Sequence, residues 1–311
     1  MEAHRYSQTA LVMAAIRAIH HAGGPPRVFD DPLARALLTR SELDAFEERL
    51  VQTLQQLRPN LATSCPDKTT ALREAIRVSA AVNVLARARY TEESLVSSLY
   101  GGIRQYVIVG AGLDTFAYRH LDLTDRLRVI EMDHPATHAL KRARVADAGW
   151  VCPKELQFVS VDLERDRVSA ALEGSNYDPA VPAFFAWLGV TPYLTRHSVI
   201  ETIRSIADVA CPGSRLVFDY FEPGAFSDNA PARLRFVLEQ ARRLGEPMIS
   251  NLKAETLPSE LASVGFHLQE DLGPAEIQAR LMPNEGFEAV AYWRLAHAVR
   301  FDHSRDATCD P

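Results

Sequence analysis

Short apolar runs alternate with amphipathic segments over the second two-thirds of the chain. Five runs have the length and apolar content of buried strands: 105–110, 127–132, 156–162, 183–188 and 214–220. Helical spacing of apolar positions marks three segments between them: 135–148, 164–173 and 195–210. Two further strands are expected at Phe266–Glu270 and Ala289–Leu295. Because strands that alternate with helices form βαβ units, the pattern predicts an α/β fold with a mostly parallel sheet.

The front third of the chain has no such strands. The spacing of apolar positions predicts helices over 8–22, 30–38, 41–57, 68–89 and 91–99, with a loop over 58–65. Gly23-Gly24-Pro25-Pro26 ends the first helix, and Asp30-Asp31-Pro32 has the pattern of an N-cap followed by proline. We therefore divide the chain into a helical N-terminal cap, residues 1–90, and a core, residues 91–311.

One connection in the core is unusually long. Residues 221–257 separate the strand at 214–220 from the next predicted strand, and a helix is expected at about 231–244. Connections of this length inside a compact domain are uncommon and often cover a binding site. We expect this segment to be an insertion that forms a helical lid.

A glycine turn follows the first predicted strand. Gly110-Ala111-Gly112 ends the apolar run Tyr106–Val109, and Asp133 closes the next strand about 20 positions later. This arrangement is typical of α/β proteins that bind the adenosine part of a cofactor. The glycines allow a tight turn and a close approach of the backbone, and the acid accepts hydrogen bonds from ribose hydroxyls. An ordinary turn after a buried strand is the alternative.

The turn also indicates which cofactor binds. A dinucleotide fingerprint requires a third glycine where this chain has Thr115, and Asp114 would repel a phosphate. S-adenosylmethionine (SAM) has an ammonium and a sulfonium but no phosphate, so an acid suits it. We predict SAM as the cofactor. A nicotinamide-dependent oxidoreductase and a SAM-binding protein without turnover remain alternatives.

Composition and charge narrow the possible partners. The chain has 311 residues, 47% hydrophobic and 24% charged, which is ordinary for a globular protein with a sizeable core. The net charge of −6 gives no electrostatic footprint for nucleic acid or an anionic membrane. The four cysteines have irregular spacing, and no secretory signal or membrane span is evident. We expect a cytoplasmic protein that acts on a small-molecule acceptor.

Several segments together resemble the bacterial branch of the leucine carboxyl methyltransferase family. They are Phe29–Ala34, Ala86–Tyr90, Gly110–Thr115, Glu131–Pro135, Val161–Leu163, Trp187–Leu194 and Pro212–Ser214. The resemblance covers roughly residues 8–295. It implies a doubly wound, seven-stranded, Rossmann-like methyltransferase sheet with a helical cover, and SAM as the cofactor.

The resemblance also implies roles for individual residues. Arg87 would bind the SAM carboxylate with its planar guanidinium, and Arg17 is a second candidate for the same pocket. Asp162 would accept a hydrogen bond from the adenine amino group, and Leu163 would pack on the purine. From the residues alone, Arg87 could be a solvated helix arginine and Asp162 an N-cap. Leu188 completes the expected cofactor site.

One position departs from the family pattern. Eukaryotic members have an acid in the strand that ends near residue 188, whereas this chain has Trp187-Leu188-Gly189. Asp114, backbone carbonyls or water would then hold the SAM ammonium. The departure puts the phosphatase substrate of the eukaryotic members in doubt. It favours a small molecule, with secondary metabolism as the expected setting.

We expect O-methylation, with a carboxylate acceptor ahead of a hydroxyl. A carboxylate is already ionised at neutral pH and needs no general base, whereas a hydroxyl must lose its proton. The sequence identifies no catalytic residue. Tyr193 and Tyr220 are the first candidates to assist a hydroxyl acceptor, and His197 and His267 are weaker ones. His134 and His138 have a spacing that can hold a metal, but no third ligand is near in sequence, so we predict no metal site.

Overall fold

A computed structural model describes residues 6–25, 27–124, 126–283 and 286–301. These residues form a seven-stranded sheet in the order β3-β2-β1-β4-β5-β7-β6. The strands are β1 (Gln105–Val109), β2 (Arg128–Asp133), β3 (Leu156–Ser160), β4 (Ala183–Trp187), β5 (Arg215–Phe221), β6 (Phe266–Leu272) and β7 (Trp293–Arg300). The predicted α/β fold with a doubly wound, mostly parallel sheet is confirmed.

Neighbouring strands from β1 to β5 pair in parallel, whereas β7 is antiparallel to both β5 and β6. The strand order reverses beside β1, which pairs with β2 on one side and β4 on the other. In open α/β sheets, ligands bind outside the carboxyl ends of the strands at this reversal. The register there aligns Val109 with Met132 and Ile108 with Ala186.

Helices cover both faces of the sheet. They are α1 (Gln8–Ala22), α2 (Arg40–Leu57), α3 (Pro59–Ser64), α4 (Lys68–Val78), α5 (Ala81–Leu99), α6 (Phe116–Arg119), α7 (Leu121–Thr124), α8 (Pro135–Asp147), α9 (Val168–Glu173), α10 (Arg196–Val209), α11 (Ala232–Arg243), α12 (Leu257–Ser263) and α13 (Pro274–Leu281). Short 3-10 helices span Ala34–Leu37, Thr191–Tyr193 and Pro223–Phe226. The described residues contain no helix with the length and apolar character that crossing a membrane requires.

Alternation along the strands builds two apolar cores. Tyr106 and Ile108 of β1 belong to the core that α1, α4 and α5 share, whereas Val107 and Val109 belong to the core beneath α9, α10 and α12. Successive side chains of a strand point to opposite faces, so a strand with helices on both faces reads as a continuous apolar run. This explains why β1 is easy to recognise in the sequence.

Five predicted elements differ from the structure. The helix expected over 30–38 is a short 3-10 helix, Ala34–Leu37. The helix expected over 68–89 ends at Val78, because Ser79 is extended and its hydroxyl accepts a hydrogen bond from the amide N–H of Ala81. The following helix, α5, runs uninterrupted to Leu99. The expected loop at 58–65 contains α3, which Pro59 begins at its first position. The helix expected from residue 164 begins at Val168, and the strand expected at 289–295 spans Trp293–Arg300.

Residue 90, where we placed the boundary between cap and core, lies inside α5. This helix contacts α1 and α4 as well as β4. The division into a cap and a core stays a prediction.

Candidate functional site

A cavity of about 420 Å³ lies beside the carboxyl ends of β1, β2 and β4. It is lined by every cofactor residue predicted from the sequence: Arg17, Arg87, Gly110, Ala111, Gly112, Asp114, Asp133, Asp162, Leu163 and Leu188. Gly245–Pro247 and Ile249, from the insertion after β5, line it as well. We call this space the cofactor cavity. The assignment of the individual residues to parts of SAM stays a prediction.

The glycine turn is tied to the neighbouring strand. The amide N–H groups of Gly110 and Ala111 both donate to the carbonyl oxygen of Met132, at 2.8 and 3.0 Å. Gly112 has a φ of +54°, and a Cβ there would lie 3.2 Å from the Cβ of Ala10 in α1. The second glycine therefore admits the helical cover close to the turn.

Asp133 is the acid at the end of β2. Its two carboxylate oxygens accept hydrogen bonds from the backbone N–H groups of Gly112 and His134. Burial raises the pKa of Asp133, and these two donors oppose that effect. Because a carboxylate oxygen has two lone pairs, each oxygen retains an acceptor position for a ligand hydroxyl.

Arg17 links the helical cover to the glycine turn. Its guanidinium donates to Asp31 Oδ2 at 2.8 Å and to the carbonyl oxygen of Leu113 at 2.7 Å. The hydroxyl of Thr115 donates to the same Asp31 oxygen at 2.7 Å. Burial of Asp31 disfavours its charge, but Arg17 and Arg119 outweigh this and hold the pKa of Asp31 below its ordinary value. Thr115 therefore joins the glycine turn to Asp31 of the helical N-terminal segment, at the position where a dinucleotide-binding turn would have glycine.

Arg87 is a buried arginine rather than a solvated one. Its Nη1 donates to Asp219 Oδ2 at 3.0 Å, and the two side chains are 13% and 2% exposed. Gly189 lies against the guanidinium with a φ of +69°, and a Cβ at this position would collide with it. We expected no acid at the end of β4. The structure places Asp219, from the neighbouring strand β5, beside that end.

Sequence reasoning missed Asp219. Besides Arg87, its carboxylate accepts hydrogen bonds from the backbone N–H of Gly189 and from Trp293 Nε1 at 3.0 Å. The register aligns Trp187 with Phe218, so Asp219 follows at the same edge as Leu188. An acid between Phe218 and Tyr220, at the end of a buried strand, was the available signal.

Two other predicted acids are held by local backbone. Asp114 Oδ1 accepts from the amide N–H of Phe116 at 2.7 Å, at the start of α6. Asp162 Oδ1 accepts from the amide N–H of Glu164 at 3.1 Å. The next helix, α9, begins at Val168 with Arg167 as its N-cap, so Asp162 does not cap it.

The two candidate tyrosines lie in different places. Tyr193 lines the cofactor cavity, and burial raises its pKa to about 12. Tyr220 is not among the lining residues. Its hydroxyl donates to Asp271 at 2.9 Å, and its side chain belongs to the opposite core. The expectation that Tyr220 joins the site is wrong, because it alternates with Asp219 along β5 and faces the other side of the sheet.

A second chamber of about 210 Å³ adjoins the cofactor cavity. Both spaces are lined by Thr9, Met13, Val84, Arg87, Gly189 and Tyr193. Side chains of α1, α2, α5 and α11 form most of its wall, and its polar residues include Arg49, Asn83 and Gln240. Among the described residues, no histidine or lysine lines it. We call this space the second chamber.

His134 and His138, whose spacing could hold a metal, make different contacts. His134 Nδ1 accepts from the amide N–H of Ala136 at the start of α8, whereas His138 is buried against Phe158. Within the described ranges, no group of three or more metal-binding side chains is present.

Comparison with known proteins identifies the family. The model of the leucine carboxyl methyltransferase family matches residues 10–207. The chain belongs to the leucine carboxyl methyltransferase family. YktD of Bacillus subtilis strain 168, named as a SAM-dependent methyltransferase, is 32% identical over 96% of this chain and 100% of its own length. A relative from Mycobacterium avium strain 104 with the same class of name is 34% identical over 76% of this chain and 72% of its own.

A solved structure shares the fold. A DUF574 family protein from Streptomyces avermitilis MA-4680 has a TM-score of 0.55 at 15% identity, and the alignment covers 95% of this chain and 98% of that protein. The family member described here is therefore a SAM-dependent methyltransferase with the fold expected from its sequence, rather than a nicotinamide-dependent oxidoreductase.

The cofactor cavity fits SAM in its chemistry. It combines a turn without side chains at two positions, a carboxylate with unused acceptor positions at Asp133, and a buried guanidinium at Arg87. These groups complement ribose hydroxyls and an amino-acid carboxylate.

Proposed function

We propose that the protein methylates a carboxyl oxygen of a small molecule that enters the second chamber. When bound, SAM supplies a methyl group on a positively charged sulfur. Arg87 and Arg17 would hold the SAM carboxylate, Asp133 the ribose hydroxyls, and Asp162 with Leu163 the adenine. An acceptor in the second chamber would then meet the methyl group at the wall that both spaces share.

The ionisable groups at that wall support a carboxylate acceptor. Asp219 accepts hydrogen bonds from three donors, so its carboxylate is poorly placed to take a proton. The pKa of Tyr193 is raised to about 12, which keeps the phenol protonated at neutral pH. A hydroxyl acceptor needs a base, whereas a carboxylate is ionised already. The proposal rests on one observation: the carboxylate of Asp219 already accepts three hydrogen bonds.

The chain's contribution to the rate would be placement and exclusion of water. An acceptor oxygen held about 3–3.5 Å from the methyl carbon, opposite the sulfur, gains most of its acceleration from this geometry. The apolar wall of the second chamber would displace water from around the acceptor. The insertion segment 245–249 covers the cofactor side.

The test uses SAM labelled in its methyl group. The protein is incubated with a panel of carboxylic acids, phenols and amines, and products are identified by mass spectrometry. We expect labelled methyl esters. Labelled ethers only would favour the hydroxyl alternative, and products methylated only at nitrogen or carbon would refute O-methylation.

A further inference from the structure

The second chamber is shaped for an apolar molecule. Most of its wall is aliphatic or aromatic: Val12, Met13, Ile16, Phe46, Leu50, Leu57, Val84, Phe221, Phe236, Val237, Leu244, Met248 and Trp293. A dry cavity of about 150 Å³ holds benzene, so 210 Å³ has room for roughly eight to ten non-hydrogen atoms.

One side chain in this wall lacks the partner that its chemistry requires. Asn83 of α5 is 6% exposed, and its Oδ1 has no hydrogen-bond partner among the described residues. Buried polar atoms are almost always hydrogen-bonded, and an unpaired one lowers stability. Asn83 lines the chamber, and rotation of its amide can present either a donor or an acceptor to a ligand there.

Asn83 stands one helical turn before Arg87. Residues four apart on a helix lie about 6 Å from each other on one face. Arg87 lines both spaces, whereas Asn83 lines only the second chamber. An acceptor whose reacting group lies beside Arg87 therefore extends toward the Asn83 amide.

A second unpaired polar atom in α5 differs from that of Asn83, because neither of the two ligand spaces adjoins it. Thr91, also in α5, is 1% exposed, and its hydroxyl lacks a partner among the described residues. It lines neither the cofactor cavity nor the second chamber. Thr91 is thus an unpaired group without a ligand space, whereas Asn83 has both.

We propose that Asn83 is a specificity-determining residue, which selects apolar acceptors that carry a hydrogen-bonding substituent such as a hydroxyl. The inference rests on the proposed function only in taking the second chamber as the acceptor site. It adds the class of acceptor: a compact, largely apolar acid with one polar substituent away from the reacting group.

Four probes test the proposal: 3-phenylpropanoic acid and its 2-, 3- and 4-hydroxyphenyl counterparts. Their aromatic part suits the size of the second chamber, and the carboxylate would lie at the wall shared with the cofactor cavity. Their affinities are measured by calorimetry with protein saturated with S-adenosylhomocysteine (SAH), and ester formation is followed separately with SAM. We expect at least one hydroxylated acid to bind about tenfold more tightly than the parent acid. N83L should reduce this preference to within about twofold.

T91V is the matched control, because it removes an unpaired buried hydroxyl from the same helix but outside the chamber. It should keep the tenfold preference. Both variants should unfold at the wild-type temperature or above it, since each removes an unsatisfied polar atom. N83A, which cannot overfill the chamber, repeats the test if N83L does not fold.

The outcomes separate this inference from the proposed function. Ester formation with a preference unchanged in N83L and N83A would overturn the role of Asn83 and leave carboxyl methylation standing. An Asn83-dependent preference with methylation at the phenol would do the reverse. Failure of all four acids to bind the SAH-loaded protein would overturn the inferred acceptor class.

Discussion

The cofactor cavity and the second chamber are built in different ways. The first is lined mainly by short segments that follow β1, β2, β3 and β4, which the sheet register brings together. Helices α1 and α5 add Arg17 and Arg87. The second is lined by side chains of α1, α2, α5 and α11, which come together only when the helices pack. Recognition of a common cofactor thus lies largely in local motifs, whereas recognition of the acceptor depends on tertiary packing.

The two spaces also differ in charge. Asp114, Asp133, Asp162 and Glu246 line the cofactor cavity, which suits a ligand with an ammonium and a sulfonium. The polar groups that the described residues bring to the second chamber include hydroxyls, two amides, two arginines and a single carboxylate, Asp219, in an apolar wall. Arg87 belongs to both, and Asp219 anchors it. The following substitutions test whether Arg87 and its partner Asp219 affect ligand binding in both spaces.

Asp219→Ala should have the largest effect. It leaves the buried guanidinium of Arg87 without its partner, and breaking a buried ion pair costs about 3–5 kcal/mol. Urea unfolding should show this loss, and SAH and acceptor affinities should fall together. D208A, which removes the exposed partner of Arg167, should cost under about 1 kcal/mol. If D219A and D208A lost equal free energy of unfolding, Asp219 would not be the residue that holds Arg87 between the two spaces.

Acidification should destabilise α1, which contributes residues to both spaces. His20 Nε2 accepts from the amide N–H of Val28 at 3.0 Å, and burial lowers the pKa of His20 to about 4. The neutral form is favoured in the folded protein, so its stabilisation is complete above pH 6.5, the unfolded value. It is lost as the pH falls through 4 and amounts to about 3 kcal/mol at most.

Unfolding free energies measured between pH 7 and 4 check this expectation. H20Q should lessen the slope without removing it, because burial lowers the pKa of His138 and His297 to about 4 as well. H197Q, at an exposed position of α10, is the control and should leave the slope unchanged. A slope unchanged in H20Q would assign the acid sensitivity to the other groups.

Gly189→Ala should displace Arg87 without removing any charge. The added Cβ collides with the guanidinium, and we expect SAH to bind roughly 10–100-fold more weakly, which corresponds to about 1.4–2.8 kcal/mol. Gly149 has the same φ of +69° and nothing within 4 Å of an added Cβ. G149A therefore reports backbone strain alone, and calorimetry should give it wild-type affinity. Similar affinities for the two variants would exclude the collision as the cause.

Glu246→Gln should have the smallest effect. The carboxylate accepts from the backbone N–H groups of Gln8 and Thr9, both at 3.1 Å, at the start of α1. A negative charge at a helix N-terminus contributes about 0.3–1 kcal/mol. Thermal unfolding should detect the loss, which E48Q at an exposed position of α2 should not reproduce. A loss that does not diminish in high salt would argue against an electrostatic origin.

The parts of the site that the sequence predicts correctly depend on near neighbours. Gly110, Gly112 and Asp133 fall within one βαβ unit, and strand order alone brings them together. Asp219 was missed because its partners Arg87, Trp293 and Gly189 are 132, 74 and 30 positions away. An acid in a buried strand marks the position locally, but partners this distant leave no pattern that identifies its role.

Two errors show how local chemistry and alternation can mislead. Tyr220 has a suitable functional group at the correct strand end, but neighbouring strand residues face opposite ways, so it and Asp219 cannot both face the boundary. The break at Ser79 arises from a single side-chain hydrogen bond within an otherwise continuous helical pattern. Apolar periodicity does not report either effect.

The position of β7 has a consequence for biosynthesis. This strand lies between β5 and β6 although it follows both in the chain, and it carries the indole that donates to Asp219. A nascent chain grows at about 5–20 residues per second from its N-terminus. The glycine turn and Asp133 can therefore fold on the ribosome well before the anchor of Arg87 is complete. Competence to bind both ligands arrives only after residue 300 has left the exit tunnel.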